Sequence, residues 1–268
     1  MLQIVLPLFN PNVISIGGLN IRWYSLAYLV GVIFVLKFTK YYDKKFDLKL
    51  GDEKFYDDLV FYEVLGIVIG GRIGYCLIYN FREIIKSPLK IFAIWEGGMS
   101  FHGGLLGVIL ASYYVCKKHK IAFFRLTDVI SISAPIALFF GRLANFVNLE
   151  LYGRPTNVPW GMVFPTADSL ARHPSQLYEA FFEGIILFAL MLYVTKKYQL
   201  KTDGLNSSVF LVFYGVFRIL CEFFREPDCQ IGFLFNHTTL GQLLSLLSIV
   251  FGVLIFIIRI ESKINTST

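Results

Sequence analysis

The sequence predicts an all-α integral membrane protein, a bundle of seven transmembrane helices, from three observations: an apolar composition, recurrent charge-poor stretches, and basic residues confined to alternate loops. Of the 268 residues, 56% are hydrophobic and 17% aromatic, and 16% are charged. An ordinary soluble domain carries about 25% charged residues, so water is not this chain's main solvent. The net charge of +6 does not point to nucleic acid, because Lys and Arg fill short loops between apolar runs and form no stripe. No fixed-period repeat or low-complexity tract is visible, which argues against a transporter built from inverted repeats. The whole chain, 1–268, reads as a single polytopic membrane domain.

The first span is expected at 22–38. The residues before it contain Pro7 and Pro11 and no basic residue ahead of Arg22, unlike a cleaved signal peptide, so this span is expected to be retained. Further spans are expected at 56–79, 99–116, 127–147, 176–195, 205–224 and 238–258. Lys37, Lys40, Lys44, Lys45, Lys49 and Lys54 follow the first span, and KKHKIAFFR, KKYQLK and RIESK bring that side to fifteen basic residues. The other side holds seven: Arg22, Arg82, Lys86, Lys90, Arg154, Arg172 and Arg225. The positive-inside rule then puts the N-terminus outside and the C-terminus in the cytoplasm, as an odd number of spans requires.

Between the spans, residues 81–96, FREIIKSPLKIFAIWE, are amphipathic and are expected as an interfacial helix. Residues 148–175 contain Pro155, Pro159, Pro165 and Pro174 with Trp160 and Phe164, which suits an ordered extracytoplasmic loop region. Cys76, Cys116, Cys221 and Cys229 have no CxxC spacing, so neither a metal site nor a disulfide framework is indicated, and no cofactor is expected.

The polar residues inside this framework gather at one face. Tyr24 opens the first span, His102 the third, and Arg142 and Asn145 close the fourth, with Glu150 just beyond. Arg218 and Glu222 are four residues apart on one helical face, where they form either a packing ion pair or part of a working site. An Arg or Glu in mid-span costs about 2.5–3.5 kcal/mol on insertion scales, so such groups are paired, line a cavity, or function. Arg72, after Gly70 and Gly71, admits the same two readings. His102 lies in GGMSFHGGLLG, whose glycines allow close approach of a helix or a lipid headgroup.

The richest stretch is GRLANFVNLELYGRP, 141–155, where Gly141 and Ala144 suit tight packing and Arg142 offers a planar, permanently charged fork to a phosphodiester. HPSQLYEA, 173–180, sets Gln176 and Glu179 on one face, although Ser175 and Glu179 also suit a helix start. YGVFRILCEFFREPD, 214–228, adds Tyr214 and Arg225 to Arg218 and Glu222. A small polytopic transporter with an outward-facing anion site is the alternative, but it would want polar groups through the membrane depth.

These motifs, with RWYSLAYLVG at 22–31, occur in order over nearly the whole chain, and in this the sequence resembles the bacterial phosphatidylglycerol:prolipoprotein diacylglyceryl transferase family. The family often carries glycine where this chain has Ala144 and Leu149. The resemblance implies transfer of the sn-1,2-diacylglyceryl group from phosphatidylglycerol to the lipobox cysteine thiol of a preprolipoprotein, forming a thioether and releasing glycerol phosphate. It implies a location in the bacterial cytoplasmic (inner) membrane among its lipids, with the active site toward the extracytoplasmic face.

On that basis Arg142 is expected to bind the headgroup and Arg218 to stabilise the departing phosphate with Glu222 orienting it. Tyr24, Asn145 and Glu150 are expected to position the substrates by hydrogen bonds, and Gly153, Gln176, Tyr214 and Arg225 to line the binding site. His102 is either the base that takes the thiol proton or a positioning group.

Overall fold

The computed structural model describes residues 4–10, 12–16, 19–227, 232–234 and 238–267. Its helices are α1 (Trp23–Phe46), α2 (Glu53–Ile78), α3 (Phe81–Lys86), α4 (Phe101–His119), α5 (Phe123–Val147), α6 (Ser175–Tyr198), α7 (Leu205–Glu222) and α8 (Leu240–Ser267). In hydrocarbon a backbone must satisfy its own polar groups, and helices do so within one segment. Among the described residues, α1, α2, α5, α6, α7 and residues 240–259 of α8 are long and apolar enough to cross a membrane. The chain is therefore a multi-pass membrane protein with six such helices. The seventh expected span, 99–116, is helical as α4 but is not among them. Its run contains Gly103, Gly104 and Gly107, and Lys117, Lys118 and His119 close the helix.

The chain divides into two compact units, Asp47–Leu126 and Met1–Phe46 with Thr127–Thr268. In the 47–126 unit, Asp52 caps α2 by accepting from the Phe55 N–H at 3.1 Å. Gly66, Gly70 and Gly74 of α2 face Gly103 and Gly107 of α4 so closely that a Cβ on Gly66 would lie 2.5 Å from the Gly107 carbonyl oxygen. This is the small-residue contact by which membrane helices pack backbone to backbone. Ser112 of α4 donates to Glu63 of α2 at 2.9 Å, giving a carboxylate within α2 a partner.

The expected interfacial helix at 81–96 is interrupted: α3 stops at Lys86, and 3₁₀ turns follow at Pro88–Phe92 and Ile94–Glu96. Pro88 has no N–H to continue the α-helical ladder. Arg72 gathers this segment, donating to the carbonyls of Lys90, Ile91, Gly97 and Gly98. Its role is thus to tie α2 to the following loop.

In the other unit, glycines again set helix spacing where it is tightest: a Cβ on Gly184 of α6 would lie 2.7 Å from Phe139 Cβ of α5. At one end of α7 the buried Asp128 of α5 accepts from Gly204 N (2.6 Å), Ser207 N (2.7 Å) and Ser207 Oγ (2.6 Å), satisfying free amides of the helix start from a neighbouring helix. The loop region between α5 and α6 is ordered by three short strands, β1 (Ile4–Val5), β2 (Met162–Val163) and β3 (Ala171–Arg172), with β1 parallel to β2 and β2 antiparallel to β3. Leu6, Leu149 and Phe164 form its buried core, with Phe146, Tyr152, Met162 and Ala167 against them. Leu149 has φ +56°, the left-handed conformation that favours glycine, and its side chain is buried in this core. Cys76, Cys116 and Cys221 are buried free thiols, and Cys229 lies outside the described residues.

Candidate active site

Among the described residues, three arginines and three glutamates meet where α5, α6 and α7 converge, a formal balance of charge in a buried setting. Glu179 is central and fully buried: Oε2 lies 3.0 Å from Arg142 Nε, while Oε1 accepts from Arg218 and lies 3.4 Å from Arg225 Nη1. Glu183, also fully buried, lies 3.2 Å from Arg142 Nη2 and 3.7 Å from Arg218 Nη1. Glu222 Oε2 lies 2.6 Å from Arg218 Nη2, the four-residue pair expected on α7, and Oε1 accepts from Thr239 Oγ1 at 2.9 Å. Gly241 leaves room for this carboxylate, since a Cβ there would lie 2.6 Å from Glu222 Oε1. Removing one partner of a buried pair strands the other charge, at a cost of about 3–5 kcal/mol, so the six groups hold one another in place.

Local helix geometry supports this arrangement. Glu179 and Glu183 are one turn apart, and Ala180–Ile186 forms a wide i→i+5 segment within α6, a rare distortion found frequently at functional sites. Tyr214 stands one turn before Arg218 on α7, its ring stacked on Phe210 at 5.8 Å. Gly141 makes no tight contact, contrary to expectation: a Cβ there would meet nothing within 4 Å, whereas Ala144 is buried.

A hydrogen-bonded line runs beside the ions. Asn145 Nδ2 donates to Tyr24 Oη at 2.9 Å and to Glu150 Oε1 at 2.9 Å, and Gln176 Nε2 donates to the Glu150 carbonyl at 2.6 Å. Gln176 is fully buried, and its Oε1 accepts no hydrogen bond among the described residues. Ser175 does not cap α6; its hydroxyl donates to the Leu151 carbonyl at 3.0 Å, and Glu179 serves the arginines instead.

Gly153 is where three passages of chain meet. Its N–H donates to the His173 carbonyl at 2.8 Å, its neighbour Arg154 donates to the Phe224 carbonyl at 2.8 Å, and a Cβ on it would lie 2.5 Å from both those oxygens. Arg172 closes the clasp, donating to the Gly153 carbonyl at 3.1 Å and forking onto Asp168 through Nη2 at 2.7 Å and Nε at 3.2 Å. The fork holds the Asp168 carboxyl below the usual carboxylate range, and burial pushes the His173 imidazole down.

The fold thus brings Tyr24, Arg142, Asn145, Glu150, Gly153, Gln176, Tyr214, Arg218, Glu222 and Arg225 into one unit. His102 belongs to the other unit, exposed on the first turn of α4. Glu183 is the member that sequence reasoning missed. A second acid one turn beyond Glu179 in an apolar run was its visible signal, given the cost of a lone carboxylate there. Among the described residues no three His, Cys, Asp or Glu side chains gather as a metal site.

Fold and site define a multi-pass helical membrane protein with a buried, charge-balanced arginine–glutamate cluster. The family model described as Prolipoprotein diacylglyceryl transferase matches residues 11–258, and the chain belongs to that family. It is 49% identical over 252 residues to the phosphatidylglycerol–prolipoprotein diacylglyceryl transferase of Rickettsia bellii (strain OSU 85-389), covering 94% of this chain and 95% of that protein. Proteins of the same name from Rickettsia felis (50% identical over 247 residues; 92% of this chain and 95% of that protein covered) and Rickettsia typhi (47% over 260; 97% and 100%) are similar over comparable lengths. The transporter alternative is not favoured by these relationships.

Proposed function

We propose that the chain catalyses transfer of the diacylglyceryl group of phosphatidylglycerol to the lipobox cysteine of a prolipoprotein, the first step of lipoprotein maturation. The observation that carries this reading is the pairing of Arg142 and Arg218 through shared carboxylates in a buried site of a chain from this transferase family. In the reaction a C–S bond forms at the glyceryl carbon, the bond from that carbon to the phosphate ester oxygen breaks, and glycerol phosphate departs with that oxygen while the thiol proton passes in the end to it or to water. A free thiol near pKa 8.5 is only a few per cent ionised at neutral pH, so positive charge at the site assists twice, favouring thiolate and stabilising the leaving phosphate.

In this reading Arg142 binds the headgroup phosphate through its fork, Arg218 stabilises the departing phosphate, and Glu222 fixes Arg218. Tyr24, Asn145 and Glu150 position the glycerol hydroxyls or the peptide backbone. Gln176, with its unmatched carbonyl oxygen, offers one more acceptor, and Tyr214, Arg225 and Gly153 shape the pocket. His102 either takes the thiol proton or positions the peptide. We read the chain as a single polytopic domain of seven spans in the bacterial inner membrane, N-terminus outside, reacting at the extracytoplasmic face; the loop charge asymmetry supports that orientation.

The test is purified protein with phosphatidylglycerol and a synthetic lipobox peptide. The expected result is glycerol phosphate in solution and a peptide heavier by one diacylglyceryl group. Absence of both, with lipid and peptide present and the protein folded, overturns the assignment.

A further inference from the structure

Among the described residues the buried cluster holds three arginines against three glutamates, a balance that an added charge upsets. A phosphodiester anion entering it adds one negative charge where low dielectric makes an unbalanced charge costly. The glutamates are not equally compensated. Glu179 is shared by Arg142, Arg218 and Arg225, and Glu222 has Arg218 at 2.6 Å together with the Thr239 hydroxyl. Among the described residues Glu183 has Arg142 at 3.2 Å and Arg218 at 3.7 Å, the longest set of contacts of the three, and both arginines are shared with the other glutamates. Those two arginines are the ones a phosphate would draw away.

We propose that Glu183 is the proton-accepting partner of phosphate binding: when a phosphodiester settles between Arg142 and Arg218, Glu183 takes one proton from water and keeps the cluster neutral. This rests on the reading of Arg142 and Arg218 as the headgroup-binding pair. The titratable and charged groups facing Glu183 are Arg142 on α5, Tyr214, Arg218 and Cys221 on α7, and Glu179 on its own helix. Glu183 makes no contact with the glyceryl carbon in this scheme; it acts through the two arginines, as a positioning residue. A carboxylate that becomes a carboxylic acid releases both guanidiniums without leaving a buried charge behind.

One proton taken up per lipid bound means that affinity for phosphatidylglycerol falls about tenfold for each unit of rising pH wherever free Glu183 is ionised. The experiment uses the full chain in detergent and a soluble short-chain phosphatidylglycerol. Binding is followed by calorimetry in two buffers of different ionisation heat, which reports protons taken up. Wild type is expected to take up close to one proton per lipid, and Glu183→Gln, which mimics the protonated form, close to none with affinity flat in pH. Wild-type binding that depends on Arg142 but takes up no proton overturns the Glu183 proposal alone, whether or not the variant folds. Binding unaffected by Arg142→Ala overturns the headgroup reading and this proposal together.

Discussion

Arg142 Nε lies 3.0 Å from Glu179 Oε2, so a guanidinium on α5 is held by a fully buried carboxylate on α6. The pair fixes the direction of the arginine fork before any ligand arrives, which is what a preorganised anion site requires. Glu179→Gln leaves Arg142, Arg218 and Arg225 undercompensated together. We expect a loss of about 3–5 kcal/mol in stability, read as a lower melting temperature in detergent, and transfer activity reduced at least as far. A variant with wild-type melting and wild-type transfer contradicts this.

Arg142→Lys tests the fork itself. Lysine keeps the charge but offers a point donor that cannot reach Glu179 and Glu183 from two nitrogens while presenting a planar face to phosphate. Transfer is expected to fall on the order of 100-fold, the scale of a substrate misplaced by about 1 Å. Activity within a few-fold of wild type rejects the clamp.

Two glycines should respond in opposite ways. Gly153→Ala puts a Cβ 2.5 Å from two carbonyl oxygens, whereas Gly141→Ala, in the interior of α5, meets nothing within 4 Å. The first is expected to cost about 1–3 kcal/mol by overpacking, and the second to gain up to about 1 kcal/mol in helix propensity. Melting temperatures of the pair measured side by side decide the matter.

Asp168 gives a pH dependence of definite sign. Arg172 holds its carboxyl below the value it has unfolded, so the pair stabilises the loop above about pH 4 and loses that contribution as pH falls through the folded-state value. Asp168→Asn should therefore melt below wild type at neutral pH, with the gap closing in acid. A gap that widens on acidification has the wrong sign for this interaction.

His102→Gln separates the two roles open to that residue. As the base, it should impose an acidic limb on the transfer profile that the variant lacks. An active variant with the wild-type profile makes His102 a positioning group.

Much of this architecture is legible in the residues, because hydrocarbon leaves an apolar run few options besides helix. The Arg218–Glu222 pair is legible for the same kind of reason, since four-residue spacing fixes a shared face. Contacts across the chain are not. Arg72 has its partners in carbonyls 18 to 26 residues away, and no side-chain pattern marks them. Two-residue strands such as β2 and β3 are too short to carry a period. Glu179 read equally well as a helix-start acid, and only packing of α6 against α5 and α7 gives it three arginines.

The clasp at Gly153 has a mechanical consequence. By hydrogen-bonding the residues that leave α5, enter α6 and leave α7, it fastens three helices at the end that carries the ionic cluster. These ends cannot spread apart to admit a bulky amphiphile without breaking several backbone bonds at once. Splaying of the opposite ends is resisted as well, because Asp128 of α5 holds Gly204 and Ser207 at the start of α7, so entry falls to side-chain rotation and this part of the bundle behaves as a frame pinned at both ends.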